Sequence, residues 1–272
     1  MTTTINDERF QKGAQAYAAY LKTPEGRLRA DLTFANLHDF FPAIQRNRPM
    51  RALDIGSGTG ATSVRLALLG FHVTQLDSSE AMLQLAQHAA EEAEVADRVT
   101  LRHGDAAELT GLFAAASFDV VVCHNILEYV DDPAAVLRGV GRVLRDSAAI
   151  LSIVVRNQAG EVFKAAIQAG DLAAAETNLK AEWAKESLYG GPVRLFTSDS
   201  LRAMMNAASL SLIAERGVRV LADYLPSSIS RGEQYSGIFE LEKKLGSRAE
   251  FAPVARYTQC LARRMDFASE EE

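Results

Sequence analysis

The segment Leu53-Asp54-Ile55-Gly56-Ser57-Gly58-Thr59-Gly60 ends an apolar run in a cluster of glycines, and the next apolar run, Phe71 to Leu76, ends in an acid, Asp77. Glycines let backbone N–H groups approach a ligand closely where a strand turns into a helix. A carboxylate one strand further on can accept hydrogen bonds from both hydroxyls of a ribose. Together they predict a nucleoside cofactor held by Gly56, Ser57, Gly58, Gly60 and Asp77. Asp105, in His103-Gly104-Asp105-Ala106, follows the third apolar run and can accept from an adenine amino group. His124, after the fourth run, can orient the cofactor or serve as a base toward a hydroxyl acceptor. Each has a plainer alternative: Asp77 as an N-cap for a helix starting near Ser79, Asp105 as a loop acid, His124 as a polar loop residue bonded to backbone.

The glycines alone fit two cofactors. Gly56, Gly58 and Ala61 match the dinucleotide pattern, while Gly56, Gly58 and Gly60 match a tighter spacing. Asp54 separates them. Its carboxylate would repel a diphosphate, whereas the ammonium and sulfonium of S-adenosyl-L-methionine would be attracted to it directly or through water. The cationic cofactor is the better match. A nicotinamide oxidoreductase stays as an alternative that lacks a recognisable catalytic pair, and a non-catalytic cofactor-binding protein is the other.

These residues work together only if successive strands end on one edge of a sheet. Apolar runs at Arg51 to Ile55, Phe71 to Leu76, Val99 to His103, Phe118 to Cys123 and Ala148 to Val155 alternate with amphipathic stretches at Ala61 to Leu69, Ser79 to Glu94 and Pro133 to Leu144. The alternation predicts an α/β fold, with parallel strands and helices on both faces. A helical N-terminal cap is expected over 1–47, broken by Thr23-Pro24-Glu25-Gly26. The main domain is expected over 48–264, with lid-like helical insertions near 157–195 and 222–250 and an acidic tail over 265–272. Thr197-Ser198-Asp199-Ser200 reads as a helix start, Tyr235 to Leu245 as a helix, and Ser211 to Val220 and Val254 to Ala262 as terminal strands.

Composition narrows the class. The chain has 272 residues, 48% of them hydrophobic, and a net charge of −6. That acidity argues mildly against coating nucleic acid, although Arg216 to Arg264 is locally basic. A solvated face is an equally good reading of that excess. No stretch has the length of a membrane span and Met1 to Phe10 does not read as a leader, so a cytoplasmic protein is expected. Cys123 and Cys260 read as packed thiols, and no metal-ligand spacing occurs.

The glycine loop, Asp77, Gly104-Asp105-Ala106 and the run from Phe118-Asp119-Val120 to Leu127-Glu128-Tyr129-Val130 resemble the class I S-adenosylmethionine-dependent methyltransferases over roughly Arg51 to Val155. The resemblance implies a Rossmann-like, mostly parallel seven-stranded sheet whose last strand is antiparallel, and adds Ala106 to the cofactor residues. Arg145-Asp146-Ser147-Ala148 departs from the proline-glycine turn of many relatives. A closer likeness lies in Gly26-Arg27-Leu28-Arg29, His124, Asn157-Gln158-Ala159-Gly160, Ala169-Gly170-Asp171, Gly217-Val218-Arg219-Val220, Asp223-Tyr224-Leu225 and Ala255-Arg256-Tyr257. These resemble the bacterial tRNA 5-carboxymethoxyuridine methyltransferases. That likeness implies cofactor contacts from Arg29 and His124, and the carboxylate of a modified uridine in tRNA as acceptor. The basic stretch some relatives carry after the fifth strand is reduced here to Lys180, Lys185 and Arg194.

A carboxylate acceptor is already ionised near neutral pH and needs a cationic grip more than a base. Arg194, Arg219 and Arg29 are the expected positioning residues, each equally able to be a surface or helix-end arginine. No catalytic base is assigned. Tyr129 and Trp183 can stack on a nucleobase, though both types also pack in cores. The alternative acceptor is a small-molecule acid or hydroxyl.

Overall fold

The computed structural model describes residues 3–41, 47–186, 188–226 and 228–265. Most of the expected acidic tail lies outside them. Nine strands are described: β1 (Arg51–Ile55), β2 (His72–Asp77), β3 (Val99–His103), β4 (Val120–His124), β5 (Ile150–Arg156), β6 (Trp183–Lys185), β7 (Pro192–Arg194), β8 (Leu210–Val218) and β9 (Tyr257–Arg264). Seven form one sheet in the order β3-β2-β1-β4-β5-β9-β8. β1 to β5 pair in parallel, and β9 runs antiparallel to both β5 and β8. Chain order reverses between β1 and β4, and ligands of such sheets bind outside the strand ends at that switch point.

Alternation along the central strands divides the core. Leu53, Ile55, Val121 and Cys123 belong to one cluster with Leu137, Val140, Leu201 and Met205. Ala52, Val120 and Val122 belong to another with Leu37, Leu66 and Ala90. A period of two therefore buries both faces of the same strands. In chain order the helices are α1 (Thr3–Lys22), α2 (Pro24–His38), α3 (Ala61–Leu68), α4 (Glu80–Glu92), α5 (Leu109–Leu112), α6 (Pro133–Val143), α7 (Gln158–Phe163), α8 (Leu172–Asn178), α9 (Ser198–Ala207) and α10 (Tyr235–Gly246).

Local chemistry sets their starts. Thr23 accepts from Gly26 N and Pro24 opens α2, while Thr197 and Ser200 form a reciprocal capping box on α9. Ser79, not Asp77, caps α4. In place of a proline-glycine turn, Asp146 Oδ1 accepts from Ala148 N and Ala149 N, both at 3.0 Å. Cys123 and Cys260 are buried free thiols.

Two segments differ from expectation. The helix-forming stretch after Asn157 becomes α7, a π-helical turn over Lys164–Gln168 and α8, then yields to the β6–β7 hairpin, because Trp183 to Lys185 pairs antiparallel with Pro192 to Arg194. The final strand begins at Tyr257, not near Val254, since Ala252–Val254 forms a 3-10 turn around Pro253. No described helix is long and apolar enough to cross a membrane.

Candidate active site

A cavity of about 480 Å³ opens at the strand ends, bounded by α1, the turn after β4, the β6–β7 hairpin and the segment after β8. Its two ends are built differently. At one end lie Gly56, Gly58, Asp77, Asp105 and Ala106. Gly56, Gly58 and Gly60 have φ of +65°, +53° and +77°, the left-handed region that side chains disfavour. A Cβ on Gly56 would come within 2.9 Å of Ile126, and one on Gly60 within 2.8 Å of the Gln75 amide. Asp77 Oδ2 accepts from Gly58 N at 2.8 Å and Oδ1 from Ser79 N at 2.9 Å, which ties the acid to the glycine loop. Asp105 Oδ1 accepts from Ala107 N at 2.8 Å.

Asp54, Ser57 and Gly60 do not line the cavity. Asp54 is buried behind the loop, where it accepts from the Ser63 hydroxyl at 2.7 Å. Burial, with Asp77 nearby, pushes its carboxyl up to about 7 against the opposing pull of Ser63.

His124 lines the cavity, and its Nε2 lies 2.7 Å from Ser152 Oγ. A buried chain fixes that hydroxyl: Asn36 Nδ2 donates to Gln259 Oε1, and Gln259 Nε2 donates to Thr33 O and to Ser152 Oγ. Burial, reinforced by Arg29, drives the imidazole down to about 3, so it stays neutral across the physiological range. Arg29 is buried against aromatic rings. It donates to the Tyr17 hydroxyl at 2.9 Å and sits over Tyr17, Tyr20 and Tyr257 at 5.6, 5.1 and 5.6 Å. None of the described salt bridges involves it. Tyr17 lies against the glycine loop, 3.3 Å from where a Cβ on Gly58 would stand.

The other end gathers arginines from distant segments. Arg156 pairs with Glu161 at 3.2 Å and Glu186 at 3.3 Å, and Arg256 pairs with Glu161 at 2.8 Å. Arg219 pairs with Asp223 and donates to the Tyr20 hydroxyl at 3.0 Å. It holds a left-handed φ of +61°, a strained conformation for a long side chain. Although burial raises a carboxyl, Arg256 and Arg156 hold that of Glu161 below its usual value. Burial likewise favours a neutral Tyr257, yet Arg29, Arg219, Arg156 and Arg256 bring its hydroxyl down to about 8. Lys164 and Gln168 reach the cavity from the π-helical turn.

Of the expected acceptor-grip residues, Arg29 and Arg219 line this cavity and Arg194 does not. Arg194 lies over the Trp183 ring at 4.6 Å. Arg156, Arg256, Glu128 and Glu186 reach the site without having been singled out for it. One signal was available: Arg156 continues the apolar run Ile150-Leu151-Ser152-Ile153-Val154-Val155 without a break, and the whole strand is buried. The local excess of arginine and lysine after Arg216 does not form one face, because Arg219 and Arg256 turn inward while Arg231 and Lys243 pair with Glu25 and Asp39.

Residues 46–217 match the family model described as a methyltransferase domain. The chain belongs to that family. The glycine approach, the strand-end Asp77 and a buried guanidinium outside the described salt bridges fit S-adenosylmethionine, and this methyltransferase depends on that cofactor. It is 25% identical over 268 residues to the tRNA 5-carboxymethoxyuridine methyltransferase of Escherichia coli (strain K12), covering 96% of this chain and 97% of that one. It is 35% identical over 133 residues to the ubiquinone biosynthesis O-methyltransferase of Aromatoleum aromaticum, covering 46% and 55%. The fold matches magnesium protoporphyrin IX methyltransferase from Synechocystis PCC 6803 with bound SAH at a TM-score of 0.64 and 15% identity, covering 97% and 100%.

Proposed function

We propose that this methyltransferase esterifies a carboxylate, and that the acceptor is 5-carboxymethoxyuridine in tRNA. The carrying observation is that Arg156, Arg219 and Arg256 all line the cavity, from β5, just after β8 and just before β9, on the other side of β4 from the β1 strand that carries the glycine loop. Glu161, Glu186 and Asp223 neutralise these arginines in part and hold them in place. Each guanidinium has five N–H donors, so paired arginines still have donors for an acceptor carboxylate. The likeness to the Escherichia coli enzyme over nearly the full length of both chains supports the tRNA acceptor.

The cofactor supplies an electrophilic methyl group on a sulfonium. The protein's own task is placement. Asp77 binds the ribose hydroxyls, the Gly56 to Gly58 backbone admits the cofactor, and Arg29 pairs with the carboxylate of its methionine end. His124, held neutral, contributes a dipole there and has too little basicity to take a proton. None is needed, because the acceptor oxygen is already anionic. Orienting two bound reactants can lower a barrier by roughly 7–11 kcal/mol in favourable cases.

A phenolic acceptor is the second reading, supported by the partial likeness to the ubiquinone biosynthesis enzyme and by Tyr257, which as a phenolate can accept a proton. Mass spectrometry of tRNA nucleosides after incubation with purified enzyme and labelled cofactor separates the two. The carboxylate reading expects label in the methyl ester of 5-carboxymethoxyuridine. Label in small phenols but not in tRNA carrying that nucleoside would overturn it. The pH profile gives a second check: kcat is flat above pH 6 for a carboxylate, but rises through a midpoint near pH 8 to a plateau at about pH 9–10 if Tyr257 must lose its proton.

A further inference from the structure

We infer that Glu128 Oε2 accepts a hydrogen bond from the methyl acceptor, donated by a ring N–H such as the imide of a uracil. This rests on the nucleoside acceptor argued above. Glu128 lies in the turn after β4, is buried and lines the cavity. Its Oε1 is committed: it accepts from Asn125 Nδ2 and from Arg156 N, both at 2.9 Å. Those two bonds fix the side chain. Oε2 is buried and has no hydrogen-bond partner among the described residues. The Arg156 guanidinium does not serve it, since its Nη1 and Nη2 are turned to Glu161 and Glu186. Leaving a buried carboxylate oxygen without a donor is costly, so a ligand donor is the natural complement.

The surroundings select the donor. Burial pushes the Glu128 carboxyl up, and the hydrogen bond from Asn125 and the nearby Arg156 oppose that rise. Arg156 N on Oε1 sets Glu128 beside that arginine, whereas burial and Arg29 hold down the imidazole of His124. Tyr129 and Tyr189 also line the cavity and pack edge-to-face with Phe10 at 5.1 Å each, which puts aromatic surface beside Glu128 for a planar ring to contact. A uracil ring presents one N–H between two carbonyls, cytosine presents a bare acceptor nitrogen at that position, and a phenol has no ring N–H. Glu128 therefore reads the base as well as holding it.

Glu128→Gln tests this directly, because glutamine keeps an oxygen for Asn125 and Arg156 N while replacing the acceptor Oε2 by a donor. With carboxymethoxyuridine-containing tRNA, KM should rise at least about 10-fold. The Kd for S-adenosylmethionine by calorimetry should stay within about twofold. Wild-type enzyme should bind the nucleoside 5-carboxymethoxyuridine and refuse its N3-methyl derivative. A wild-type KM in E128Q, or equal binding of the N3-methyl derivative, would overturn the assignment while leaving the tRNA reading intact. A matching loss of cofactor affinity would reassign Glu128 to the cofactor. If wild-type enzyme transfers no label to tRNA, the acceptor reading fails first and this inference falls with it.

Discussion

The two ends of the cavity solve the same problem, binding a polar ligand out of water, by opposite means. The glycine end uses backbone and strand-end acids drawn from neighbouring parallel strands, and its key contact, Asp77 to Gly58 N, is local to the loop. The arginine end uses long side chains from β5, the hairpin, the segment after β8 and the start of β9, held by Glu161, Glu186 and Asp223. A backbone cradle changes little when surface residues vary. A charge network is easily re-paired. The difference teaches that the two ends can vary independently; under the proposed function, acceptor choice is carried by the ion pairs.

Mutations should separate the ends. Gly56→Val strikes hardest, since the new Cβ meets Ile126 at 2.9 Å on a backbone with φ of +65°. Calorimetry should find cofactor affinity reduced by about 100-fold or more, given strain of roughly 1–3 kcal/mol plus the lost approach. Retained affinity would show that the loop does not make the cradle. Arg29→Ala should weaken S-adenosylmethionine by about 10–100-fold, the worth of one charge-assisted bond. Methylthioadenosine, which lacks the carboxylate, should bind as before. An acceptor KM that moved instead would shift Arg29 to the other end.

Arg219→Lys keeps the charge but loses the planar fork, and should lower kcat/KM for the acceptor roughly 10-fold at unchanged cofactor affinity. The last effect is on stability, at Asp54. Its folded carboxyl titrates at about 7. An unfolded aspartate titrates at about 3.9, so between these values the native state holds a proton that the unfolded chain has lost. Stability contributed by Asp54 is therefore full below that lower value and is lost as pH rises through 7. Asp54→Asn does not titrate; the wild type should lose roughly 2.6 kcal/mol between pH 5 and pH 8, so the variant's melting temperature should gain on it by roughly 5–10 °C over that range. A pH-independent difference would mean that Asp54 is ionised throughout.

The strands and the glycine loop were legible because a two-residue period, breaks at glycine and acids at strand ends are local signals. Asp77, Asp105 and Ala106 reached the cavity through that regularity. Asp54 occupies the same motif but faces Ser63, since adjacent residues of a strand and its turn point to different sides. Arg194 and Arg219 looked alike as candidates. β7 sets the first on the indole of Trp183, while the left-handed turn after β8 brings the second inward.

Sequence alone determined the α/β architecture and a nucleoside cofactor, because both rest on spacing along one strand-turn-helix unit and the strand that follows it. The family came from the resemblance of its motifs, and Asp54 does not supply the charge match expected of it, since it lies behind the loop against Ser63. Tertiary structure alone decided which arginines share the cavity and that Glu128 Oε2 is buried without a hydrogen-bond partner among the described residues. Those facts depend on segments such as α2 and β9 meeting across the sheet, as Asn36 and Gln259 do, and on buried charges choosing partners by distance in space.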